Sequence, residues 1–168
     1  EDGKQVEKLL TAFQNNKALK INWQHNDAAK THNYTIENID RLKSESKVDL
    51  QWDGKIMNMD VKGQHAVAVP AEGDFKVLNV VAMNESQQYA SVQFSDLIAI
   101  GQDLTGLITI SGQSDISYTI NGSEVKVFGN GKLDGNYTVN VNNGIKNTWG
   151  KVLDKGFAAN INFENRMP

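Results

Sequence analysis

A chain of 168 residues, 39% hydrophobic and 22% charged, has the apolar content of one large or two small globular domains and is excluded from the disordered class. Its formal charge of -3 leaves no basic field for nucleic acid, and no apolar run approaches the ~20 residues that cross a bilayer. Having no cysteine, it has no disulfide, cysteine metal site or thiol nucleophile, which leaves the compartment open.

Glu1 is not an initiating methionine and opens no signal peptide, which fits a processed protein or an excised segment, and the repeat described below makes the second the expectation. Val6, Leu9, Leu10 and Phe13 fall at i, i+3, i+4 and i+7 and predict a short helix that Asn15 and Asn16 stop. Ala18 to Gln24, Thr31 to Ile39 and Val48 to Trp52 alternate apolar with polar residues and read as three strands. Asp53-Gly54 is a tight-turn signal, and Gln64 to Val69 is a fourth strand ended by Pro70. Pro70 to Asp74 reads as a linker, which divides the chain into modules 1–73 and 74–168.

In the second module Phe75 to Met83 and Tyr89 to Phe94 read as strands, and Leu104 to Ile110 as a turn followed by a short strand. Ile116, Tyr118 and Ile120 alternate toward Asn121-Gly122, and Val125 and Val127 resume beyond it, a hairpin signal. Tyr137, Val139 and Val141 alternate, as do Ala159, Ile161 and Phe163. They predict two strands joined by an arch in which Ile145 and Trp149 are apolar. The plainer expectation for Trp149 is a core plug closing one end of a sandwich, and the alternative is an exposed binding surface.

The halves share an order of segments. VEKLLTAF aligns with LTGLITI, KALKINWQHN with SDISYTINGS, and THNYTIENI with GNYTVNVNNGI, where Asn-Tyr-Thr recurs at Asn33 and Asn136. Only the second copy is preceded by YASVQFSD, so the first module is expected to have lost its leading strand at the amino end or to find that strand elsewhere. Period-two alternation, frequent turn signals and little helix predict an all-β fold of two tandem immunoglobulin-like sandwiches. The expected core is Leu50, Trp52, Val67 and Val69 in the first, and Val92, Phe94, Ile120, Val127, Tyr137, Val139, Val141, Ile161 and Phe163 in the second.

Residue types that carry chemistry are present without a recognised spacing. His25, Asp27 and His32 make a loose cluster and His65 stands apart, which reads as polar loop chemistry with no metal ligand set. Asp49, Asp53, Asp96 and Asp103 match neither a calcium loop nor a marked acid pair. No serine sits in a Gly-x-Ser-x-Gly elbow, and Gly129, Gly131 and Gly144 lack the strand-to-helix setting of a phosphate loop. Trp23 and Trp52 lie in strands and are expected between sheets. Asn33, Asn84, Asn121 and Asn136 head Asn-x-Ser/Thr sequons. No catalytic residue, cofactor or metal is expected, and Trp149 is the one residue singled out for a binding surface.

VEKLLTAFQNNKALKINWQHNDAAKTHNYTIENIDR, SKVDLQWDGK, VPAEGDFKVLNV, QYASVQFSD, GQDLTGLITI, YTINGSEVKVF and GNYTVNVNNGIKNTWGKVL together resemble the amino-terminal region of bacterial α2-macroglobulins of the Bacteroidetes type. The resemblance spans nearly the whole chain and lies in the order of the segments. It implies macroglobulin-like, immunoglobulin-type domains of a larger periplasmic or surface-anchored lipoprotein that traps proteases, with neighbouring domains of the same chain as partners and target proteases engaged through the full-length protein. Many family members capture the protease through a thioester in a Cys-x-Glu-Gln motif. Without cysteine this chain cannot carry it, and no functional residue of the family transfers to any position here. A bait region is not expected either, because the longest unpatterned piece, Asp40 to Lys47, is of ordinary loop length. The other function class open to such a fold is a ligand-binding or adhesion module, for instance one directed to cell-surface glycans.

Overall fold

Two adjacent asparagines set the first turn of the fold. The structure, a computed structural model, describes residues 3–164. Asn15 and Asn16 both have positive φ, 49° and 63°, the backbone of a two-residue type I′ turn. They join β1 (Leu10–Gln14) to β2 (Lys17–Ala18) instead of ending a helix, with Gln14 opposite Lys17. The expected helix is thus corrected to a single turn, α1 (Gly3–Val6), and Leu10 and Phe13 belong to a strand. The inward residues of β1 are Ala12 and Gln14, one small and one polar, so the apolar spacing was not the burial pattern.

Two compact units, Glu1–Gly73 and Asp74–Pro168, make up the chain, and each is described by itself. The first holds β3 (Ile21–Asn26), β4 (Thr31–Ile36), β5 (Ser46–Asp53) and β6 (Lys62–Val69) besides β1 and β2. An antiparallel sheet runs in the order β2-β1-β5-β6, and β3 and β4 form a separate hairpin. Ala12, Leu19, Val48, Leu50 and Val69 make the core, on which Leu10 and the cross-strand pair Ile21 and Ile36 pack.

Two expected core residues are corrected here. Val67 lies opposite Val48 but is half-exposed, because β6 is the edge strand and the β3–β4 contribution to the core is limited to Ile21 and Ile36. Trp52 is 38% exposed at the end of its row, its indole lying so close over Gly63 that a Cβ there would come within 2.2 Å of the ring. Asp53-Gly54 opens a 3-10 turn (Gly54–Met57), which Asp53 caps by accepting from the Lys55 N–H.

The second unit packs one sheet on another. β10 (Ser117–Asn121), β11 (Glu124–Phe128), β8 (Tyr89–Phe94) and β7 (Val77–Met83) form the first sheet in that order; β13 (Phe157–Phe163), β12 (Gly135–Val141) and β9 (Ile108–Ile110) form the second. Val92, Phe94, Val125 and Val127 from one sheet join Ile108, Val139, Val141 and Phe163 from the other in a single core. Ile120 and Tyr137, expected in this core, pack against it half-buried. The hairpin β10–β11 turns on Gly122-Ser123, one residue later than the Asn-Gly signal, with positive φ at Gly122 as in type II′ turns.

The described residues are all-β in class, built of four mostly antiparallel sheets. The aligned halves do not occupy equivalent places. β3 and β4 pair with each other, whereas their counterparts β10 and β12 lie in different sheets. The sequence repeat is therefore not a structural repeat at these strands. No helix among the described residues is long and apolar enough to cross a membrane.

Candidate functional site

The arch between β12 and β13 folds back on itself. Gly144 donates to the Leu153 carbonyl at 3.0 Å and Leu153 to that of Ile145 at 2.7 Å, so 144–147 and 151–153 run side by side. This places Ile145, fully buried, and Leu153 in the core and leaves Trp149 at the tip, 74% exposed. The expectation of a tryptophan plug is thus corrected: Ile145 and Leu153 plug the end, and Trp149 points away from it because it lies in the turn between them.

Asn147 is the mount of this tip. Its Oδ1 accepts from the backbone N–H of Trp149 at 3.1 Å and of Lys151 at 2.8 Å, while its Nδ2 donates to the Asp96 carboxylate at 2.8 Å. Asn147 and Asp96 are both buried. The segment after Asp96 is stitched to the arch as Thr148 donates to the Leu97 carbonyl and Ala99 to that of Lys146. Gln102 adds a clamp, accepting from the Lys146 N–H and donating to the carbonyls of Lys146 and Ala99. These two bonded segments carry four exposed apolar side chains, Leu97, Ile100, Trp149 and Val152, of which Ile100 is 88% exposed. An open groove of about 440 Å3 borders Ile100, lined also by Asp103, Tyr118 and Ile120. Exposed apolar side chains on hydrogen-bonded segments are suited to contact with another apolar surface.

In the first unit β3 and β4 bring the histidines together. His25 lies opposite His32 in register, with 2.8 Å between their Nδ1 atoms, and His25 Nε2 lies 3.0 Å from Glu7 Oε1. Trp23 stacks on His25 and also meets Tyr34, so an aromatic strip runs along one face of the hairpin. Asp27, in the loop after β3, bonds to neither histidine, and His65 is exposed on β6. No group of three or more His, Asp or Glu among the described residues is placed to hold a metal.

The carboxylates are not convergent. The Lys55 backbone N–H holds the Asp53 carboxyl below its ordinary range, with Lys62 adding to the effect. The Thr105 hydroxyl and N–H do the same for Asp103. Both act as local turn caps. Burial, with Asp103 nearby, raises the Tyr118 phenol, which donates to the Ile108 carbonyl at 2.7 Å. Lys126 is raised through its contact with Tyr89.

Sequence reasoning missed Asn147 and Gln14 as organising residues. Each is a polar side chain in a position whose burial only the fold reveals. No protein-family model matches the chain, and neither the curated proteins nor the solved structures contain a match to it.

Proposed function

We propose that the chain is a non-catalytic structural segment of a protease trap of the bacterial α2-macroglobulin kind, placed in the periplasm or at the cell surface. On this reading its two β units are macroglobulin-like, immunoglobulin-type modules, without bait region or thioester. They act as spacers that dock neighbouring domains of the same larger chain.

The order of the resembling segments supports the family. The observation that carries the scaffold role is the set of exposed apolar side chains, Leu97, Ile100, Trp149 and Val152, on two hydrogen-bonded segments, which offer contact surface to a neighbour. The stretch after β4 also fits a structural part. Gln14 bonds both backbone groups of Asp40, and Arg41 Nη2 donates to the Ala71 carbonyl at 2.8 Å, so this loop is tied down as a protease bait would not be. Mixing the isolated chain with an equimolar general protease should leave the protease fully active and form no denaturant-stable adduct. Stoichiometric inhibition or an adduct by this chain alone would overturn the scaffold reading.

The exposure of Trp149 also favours a second reading, a ligand-binding or adhesion module directed to glycans. Titration of a glycan panel separates the two: saturable binding lost in Trp149→Ala supports the second, and a flat titration removes it.

A further inference from the structure

The histidine pair on β3 and β4 has a geometry that the loop reading did not anticipate. At 2.8 Å the two Nδ1 atoms share one proton, one ring donating and the other accepting. His25 has neighbours on three sides: Trp23 stacks on it with ring centroids 5.9 Å apart, Glu7 Oε1 accepts from its Nε2–H at 3.0 Å, and the backbone of Gly3 lies so close to the ring that a Cβ would come within 2.8 Å. The His25 side chain is 23% exposed and His32 is half-buried, so the pair lies at the surface of the unit.

We propose that His25 and His32 form a two-histidine site for a divalent first-row transition metal, Cu2+ before Ni2+ and Zn2+. Two nitrogens bound at about 2.0 Å in cis positions of a square-planar or octahedral ion stand about 2.8 Å apart, whereas a tetrahedral ion sets them about 3.3 Å apart. The 2.8 Å between the two Nδ1 atoms is the length of their hydrogen bond and is also short enough for both to reach one ion, and Cu2+ heads the affinity order for nitrogen sites. In the metal complex each ring keeps its proton on Nε2, and the rings turn so that both Nδ1 lone pairs face the ion in place of each other. Glu7 then becomes the carboxylate that accepts from a ligating histidine and fixes its orientation. With no third donor placed among the described residues, water completes the coordination.

Cu2+ added alone to the full chain in a non-coordinating buffer tests this. The expected result is one equivalent bound with a two-nitrogen signature in electron paramagnetic resonance, lost in His25→Ala and in His32→Gln and unchanged in His65→Ala. Glu7→Gln should weaken binding about tenfold while keeping the two-nitrogen signature. Each variant is melted without metal, and one that melts as the parent does is read for binding. Retention of the two-nitrogen signal in both histidine variants would overturn the proposal, as would failure of the parent chain to show it.

Discussion

Gln14 holds the first unit's longest irregular segment in place by imitating a strand neighbour. Its Nε2 donates to the Asp40 carbonyl at 2.7 Å and to Ser46 Oγ at 3.0 Å, and its Oε1 accepts from the Asp40 N–H at 2.9 Å. Gln14→Leu keeps the bulk and removes all three bonds. It should cost about 2 kcal/mol, read as a lower urea midpoint with unchanged slope. Asp53 offers a pH test at the same scale. Its folded value is depressed, so the stability it contributes is complete above the unfolded carboxylate value of about 4 and is lost as the pH falls through the lower folded one. Asp53→Asn keeps the capping oxygen and removes the titration. Melting of the variant should lie slightly below that of the parent at neutral pH and converge with it as the pH falls below about 4. A gap that persists at low pH would assign the effect to something other than the carboxylate charge.

Among the elements, the arch separates burial from position. Ile145→Ala empties a fully buried site and should cost about 3 kcal/mol, whereas Trp149→Ala should stay within about 0.5 kcal/mol. Equal losses in thermal melts would mean that the tip is packed. Strands with large inward residues were legible before the structure: β8 has the expected bounds of Tyr89 to Phe94, and β12 turns Val139 and Val141 inward. β1 was not, because the residues it buries fully are Ala12 and Gln14, while Leu10, only partly buried against the same core, and Phe13 supplied a helical spacing by coincidence. The burial of Val67 failed for another reason: alternation names a face, and strand order decides whether that face is covered. Likewise the sequence brought His25 and His32 into one loop region, but only the register sets them opposite each other.

For the molecule as a whole, the second unit has the larger self-contained core, from Phe75 through Phe163, while the first rests on Ala12, Leu19, Val48, Leu50 and Val69. Residues 74–168 expressed alone should therefore melt cooperatively, with the midpoint of one transition of the full chain. A non-cooperative melt would show that this core needs the rest. Whether these residues are a structural segment of a larger protease trap, as proposed, is decided by reading the gene frame that encodes them. The frame should run on through further β modules to a Cys-x-Glu-Gln motif, with a lipoprotein signal upstream. A stop codon shortly after the codon for Pro168 would contradict it.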